Sequence, residues 1–234
     1  MIELLGRVIA GALVLAGFPI HIAICALIWL GDRGTPLYRA SRSGKGGVPF
    51  VMFKYRTMRL NCAAQVRKDF KTVVQTNDPR VTILGRFLRA SGVDELPQLL
   101  NILRGEMCWV GPRPDESWMR PNYGASIRCR VSVKPGITGL AQIFDGRALS
   151  TARSYAIDLW YIRHRSFWLD VYVAAVTPLF LSGLRSIARS RLELLISLSE
   201  FSGLERICSH ELETANRSHQ DSDDNRQRCN TTTV

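Results

Sequence analysis

From Val8 to Gly31 the chain runs for 24 residues without a charged side chain. As one helix this run would be roughly 36 Å long, against a bilayer hydrocarbon core of about 30 Å. Its middle works against a plain rod. Pro19 lacks the amide hydrogen that an interior helix position donates, and Gly17 just before it is a weak helix former. A bend is expected there. His21 follows, a polar group close to mid-depth. Two forms fit: a kinked helix that crosses, or a bent one that enters and leaves by the same face. A secretory signal is disfavoured, since the apolar run exceeds a usual h-region and Arg7 is the only basic side chain before it.

Charge divides the chain into three parts. Residues 1–35 and 136–234 are each balanced, whereas residues 36–135 hold 18 basic and 7 acidic side chains and so carry the whole net charge of +11. A basic middle implies an anionic partner: nucleic acid, a phosphate-bearing small molecule or an anionic membrane surface. The six cysteines have irregular spacing and no Cys-x-x-Cys pair, which points to neither a zinc site nor a disulfide framework.

Within the basic part, Tyr38 to Gly47 reads as a glycine-rich basic loop, and Val48 to Tyr55 as a strand that delivers Lys54, Arg56 and Arg59 together. No P-loop or dinucleotide fingerprint accompanies the loop. Residues 60–81 are polar, helix then loop, ending in the turn Asp78-Pro79-Arg80. Thr82 to Ala90 is expected to be helical, with Arg86 and Arg89 on one face. It leads into Ser91 to Asn101, the most informative stretch. Asp94 is a suitable N-cap, Glu95 falls in the first turn, Pro97 is tolerated only there, and Leu96, Leu99, Leu100 and Leu103 repeat at helical spacing up to Gly105. Two adjacent carboxylates therefore stand at the positive end of a short helix. Farther on, Pro112 and Pro114 bracket Arg113, presenting one guanidinium from a stiff loop suited to phosphate capture. Lys134 to Gln142 is a glycine-punctuated loop. Ser154 to Arg163 is expected to be a helix with Asp158, Tyr161 and Ile162 on one face. Phe167 to Leu184 is apolar but holds Asp170 and Pro178, so a membrane-surface or core helix suits it better than a span. Beyond about Ser199 polar residues dominate, and Gln220 to Val234 is expected to be disordered.

Several of these fragments, in this order, resemble the bacterial sugar transferases, the small monotopic phosphoglycosyl transferases that start glycan assembly on a polyprenyl carrier. The matching pieces are the N-terminal apolar helix with its central proline, Phe53 to Met58, Asp94 to Leu99, Gly111 to Pro114, Lys134 to Gly139, and Gly146-Arg147. The chain departs from the family pattern at Gln142 to Arg147, one residue longer than usual, and at Phe18-Pro19, where Ser-Pro is frequent. The resemblance implies a re-entrant helix-break-helix anchor over residues 1–35 and a cytoplasmic catalytic domain with interfacial helices over 36–190; the polar composition of 191–234, which has no counterpart in the family pattern, gives a largely disordered tail. The resemblance also implies the minimal form of the family, without a large N-terminal extension. The fold class expected is α/β, mostly helical, lying on the cytoplasmic face of the bacterial inner membrane.

The activity implied is transfer of a sugar-1-phosphate from a UDP-sugar to undecaprenyl phosphate, releasing UMP, as the first membrane step of polysaccharide biosynthesis. By resemblance Asp94 is the nucleophile, Glu95 helps hold Mg²⁺, Arg56, Arg89 and Arg113 handle phosphate, and Asp158 is a further substrate-site acid. The partners implied are inner-membrane lipid and other enzymes of glycan assembly. A carboxylate is already ionised near neutral pH, so its difficulty in attacking a diphosphate is like charge, which a divalent cation and arginines offset. Two other readings remain. A membrane-anchored scaffold would explain the apolar run but not the order of basic and acidic residues. A nucleic-acid-binding module would explain the charge, but no recognised motif or aromatic platform supports it, and no nucleic-acid partner is expected.

Overall fold

The computed structural model describes residues 2–60, 62, 78–144, 150–181 and 201–214. The apolar run forms two helices, α1 (Ile2–Ala16) and α2 (Phe18–Asp32). They meet at Gly17 with a bend of 62°. Pro19 sits at the start of α2, where its missing N–H breaks no helical bond, so the proline ends one helix by opening the next. No single described helix is long and apolar enough to cross a membrane, but this bent pair together is.

The expected basic loop is instead a strand. β1 (Leu37–Ser43) pairs antiparallel with β2 (Pro49–Tyr55), Leu37 opposite Tyr55 and Ser43 opposite Pro49. The glycines lie at the turn, where Gly46 and Gly47 take positive φ. Alternation in β1 is masked because its Arg and Ser residues cover a half-exposed face.

Thr82 caps α3 (Ile83–Ser91) by accepting from the Gly85 N–H at 2.9 Å. Left-handed Gly92 (φ 73°) closes α3 and starts a 3-10 turn, Val93–Gln98. Asp94 is therefore not an N-cap, contrary to expectation. The cap position belongs to Gly92, and Asp94 and Glu95 both lie in the first turn. α4 (Leu99–Leu103) continues this segment and ends at Gly105 in positive φ. Asp78-Pro79-Arg80 is a turn as expected. The helix expected before it lies largely outside the described residues.

β3 (Cys108–Val110) leads to the Pro-Arg-Pro loop, and α5 (Ala125–Arg128) runs into a 3-10 turn at Cys129–Ser132. β4 (Gly136–Thr138) pairs parallel with β3 inside what the sequence suggested was a loop. The two backbones approach so closely that a Cβ on Gly136 would lie 2.2 Å from the Gly111 nitrogen. α6 (Leu140–Phe144), α7 (Thr151–Arg163) and α8 (Phe167–Leu181) follow. Among the described residues helices dominate, with two small two-stranded sheets.

A last helix, α9, occupies residues 201–214. This corrects the expected disordered tail for that segment. Phe201, Leu204, Cys208 and Leu212 recur at helical spacing and are buried against Ile127, Tyr155 and Trp160 in the main core.

Two smaller cores join the N-terminal helices to the rest. Ala10 packs with Phe50, Met52, Leu99 and Ile102. Ile24 and Ile28 pack with Tyr55 and Leu88. The opposite faces of α1 and α2 stay uncovered, with Leu4, Leu5, Val8, Leu15, Phe18 and Ile20 among their exposed apolar residues.

Candidate active site

The site grows from the end of β2. Because β2 has a neighbour on one edge only, its other edge needs partners, and Asn101 of α4 supplies them. The Phe53 N–H donates to Asn101 Oδ1 at 3.1 Å, and Asn101 Nδ2 donates to the Val51 carbonyl at 2.7 Å. Asn101 is fully buried. This clamp sets the 3-10 turn beside Lys54, so Lys54 Nζ donates to Glu95 Oε1 at 2.5 Å. Arg113 reaches the same oxygen with Nη1 and Nη2 at 3.2 and 3.1 Å. The stiff Pro-Arg-Pro loop thus delivers its guanidinium to the acidic pair.

These neighbours shift the ionisation of every member. Burial opposes the charge on Glu95, but Arg113 and Lys54 outweigh it and hold the carboxyl down at about 2. Burial, then the charge of Arg113, lower Lys54 to about 8 against the pull of Glu95 and Asp94. Asp94 moves the other way. Burial raises it, Glu95 adds to the rise, and Lys54, Arg113 and Arg89 counteract. Among the described residues the Asp94 carboxylate accepts no hydrogen bond, which leaves its lone pairs open. The adjacent acids are therefore unlike: Glu95 is a paired anion, whereas Asp94 has no hydrogen-bonding partner among the described residues and feels its cations at longer range.

Arg89 lies on the inner side of α3 and donates from Nε to Thr57 Oγ1 at 2.7 Å, while Arg86 is exposed. The two do not share an environment, because α3 lies directly on Thr57: a Cβ on Gly85 would fall 2.1 Å from the Thr57 carbonyl oxygen. Arg56 reaches the end of α2, where it pairs with Asp32. Its Nε and Nη1 are buried and carry no hydrogen bond among the described residues.

Asp158 stands behind the Arg113 loop. It is buried on α7 and accepts from Arg130 Nε and Nη2 at 3.0 and 2.8 Å. Arg130 also pairs with Asp115, stacks 3.8 Å over the Tyr155 ring, and donates from Nη2 to the Arg113 carbonyl at 3.1 Å. Tyr123 donates to Asp115 at 2.5 Å. Asp158 thus supports the Arg113 loop from behind. Sequence reasoning missed Arg130, Asn101 and Thr57. Lys54 was visible only as one cation among three.

For Mg²⁺, Asp94 and Glu95 are adjacent and acidic, and Glu95 Oε1 is already taken by two cations. Among the described residues no cluster of three or more His, Cys, Asp or Glu side chains converges. The set suits a cation that takes one or two carboxylates and draws its other ligands from substrate phosphate and water.

The family model for the bacterial sugar transferases matches residues 1–182. Curated relatives include the UDP-glucose:undecaprenyl-phosphate glucose-1-phosphate transferase of Caulobacter vibrioides, 41% identical over 181 residues, which cover 73% of this chain and 66% of that protein. The protein of the same name from Xanthomonas campestris pv. campestris is 38% identical over 188 residues, 76% of this chain and 38% of its own length. The undecaprenyl-phosphate galactose phosphotransferase of Salmonella typhimurium is 35% identical over 156 residues, 61% of this chain and 32% of its own. This chain thus spans just under two thirds of the first of these relatives and about a third of the other two. With the matched region running from the bent apolar helices through the acidic pair to α8, the chain belongs to the bacterial sugar transferase family.

Proposed function

We propose that this chain transfers a sugar-1-phosphate from a UDP-sugar to undecaprenyl phosphate at a membrane surface, with release of UMP. One observation carries the reading: an unpaired, ionisable Asp94 beside a Glu95 that Lys54 and Arg113 clamp. The names of the relatives support the donor and acceptor classes.

Asp94 attacks the phosphorus bonded to the sugar. The bridging P–O bond of the diphosphate breaks, and its electron pair leaves with UMP. A phosphodiester of the sugar and the Asp94 carboxylate remains. A phosphate oxygen of the polyprenyl acceptor then attacks the same phosphorus, and the Asp94 carboxylate departs unchanged. Two half-reactions sharing one covalent intermediate predict ping-pong kinetics. Arg113 and Lys54 lower the like-charge barrier to the first attack. Bound through Glu95 and Asp94, Mg²⁺ would add charge neutralisation at the diphosphate. Arg56, seated at the end of α2 by Asp32, is the candidate to handle the acceptor phosphate, which would lie at the lipid headgroup level.

In this reading residues 1–35 form a re-entrant anchor with both ends on the cytoplasmic face of the inner membrane, and the remainder up to α8 forms the catalytic domain.

The test is UMP release by purified protein with undecaprenyl phosphate, Mg²⁺ and a panel of UDP-sugars. Release with at least one sugar, lost on chelation and lost by at least three orders of magnitude in Asp94→Asn, is the expected result. Without acceptor, UMP release should stop at one equivalent and leave a mass increment on Asp94. Wild-type turnover in Asp94→Asn would remove the nucleophile assignment, and no release with any donor would favour a scaffold.

A further inference from the structure

α9 lies outside the residues the family model matches, yet it is built into the core. Its most specific contact is polar. The backbone N–H groups of Ser126 and Ile127 donate to Glu211 Oε1 and Oε2, both at 3.0 Å. One carboxylate thereby satisfies two orphan donors at the start of α5. The approach is close: a Cβ on Gly124 would fall 2.3 Å from the Glu211 carboxyl carbon. Gly124 is thus matched to Glu211 across 87 residues of sequence.

What α5 carries next connects this contact to the site. Its last turn passes straight into Cys129–Ser132, which holds Arg130. Arg130 donates to the Arg113 carbonyl and pairs with Asp115, on either side of Pro114. Arg113 in turn clamps Glu95. A continuous chain of contacts runs from Glu211 to α5, Arg130, the Pro-Arg-Pro loop and Glu95. Cys208, one turn before Glu211, is fully buried in the same cluster as Ile127 and Tyr155, so α9 packs against the elements that carry this network.

We infer that α9 is a positioning element for the donor-phosphate arginine, with Glu211 as the positioning residue that locks α5 and thereby sets Arg113. It rests on the proposed activity only for its kinetic consequence; the mechanical coupling stands apart from it.

The experiment compares full-length Glu211→Ala and Glu211→Gln with Glu213→Ala, an exposed acid on the same helix. Backbone hydrogen exchange is measured first. Glu211→Ala should speed exchange at 126–130 and also in the non-proline amides of 111–116, by about tenfold or more, with Glu211→Gln intermediate and Glu213→Ala unchanged. Increased exchange confined to 124–128 would overturn the coupling, as would uniform loosening of the whole chain. The kinetic arm follows with whichever UDP-sugar the wild type uses. KM for the donor should rise several-fold with a smaller change in kcat, and Glu211→Ala should add little once Arg113 is replaced by Ala. Full additivity with Arg113→Ala would overturn the positioning role. Absence of UMP release by the wild type would count against the proposed activity alone, since the exchange arm still decides the inference.

Discussion

At the scale of single residues, the site is a question of who partners whom. Lys54 keeps its charge only below about pH 8, since burial and Arg113 pull it down from the value of a free lysine. Catalytic efficiency should therefore fall as pH rises through 8, and Lys54→Arg should remove that limb because an arginine stays charged. A pH series of kcat/KM checks this. Stability should not fall in parallel. Between about 8 and 10.5 the unfolded chain binds more protons at this lysine than the folded one, so folding gains slightly as pH rises. Asn101 makes a second case. Asn101→Leu keeps the volume but leaves the Phe53 N–H and Val51 carbonyl without their bonds, at about 1–3 kcal/mol for each orphaned group. A fall in the denaturation midpoint, with weaker donor binding as Lys54 shifts, is the expected outcome. The acidic pair and Arg113 were legible in the sequence because adjacency and proline bracketing are local properties. The Asn101 clamp and Arg130 were not, since each depends on segments tens of residues away that only the fold brings close. Asp158 was placed at the site by resemblance alone, and its burial against Arg130 depends in the same way on distant segments.

At the scale of elements, local chemistry was a good guide wherever one residue forces the backbone. Pro19 predicts the α1–α2 break and Gly105 predicts the end of α4, and both occur. The failures are β1, β4 and α9. The first two hide because glycine and arginine dilute strand alternation, and the last because Cys208 stands in for an aliphatic residue within an otherwise polar stretch. The bend of 62° has a testable topological meaning. In a background with native cysteines replaced, Glu3→Cys and Arg33→Cys should both be labelled by an impermeant maleimide in inverted membrane vesicles, and neither in intact spheroplasts. Labelling from opposite sides would establish a spanning helix instead.

At the scale of the whole molecule, the basic surplus and the uncovered apolar faces of α1 and α2 make different predictions. Charge-driven adsorption weakens as salt shortens the screening length, whereas buried apolar area does not. The protein should float with neutral lipid vesicles in about 1 M salt, and release under those conditions would mean that the anchor is not embedded. Family, class and approximate fold were accessible from ordered motifs alone; the way the anchor is fastened was not. That fastening joins ends of the chain made at very different times. Arg7 donates to the Leu103 carbonyl, Trp109 to the Gly6 carbonyl, and Lys134 to Glu3, across 96, 103 and 131 residues. Closing such loops is slow, because chain entropy opposes it until the distant partner exists. Until residues 50–109 have been made, α1 lacks the partners that cover its inner face. In the fold, Ala10 of α1 packs against Met52, Leu99 and Ile102. In the proposed re-entrant arrangement, the contacts that seat α1 on β2 and α4 are among the last this fold can lock.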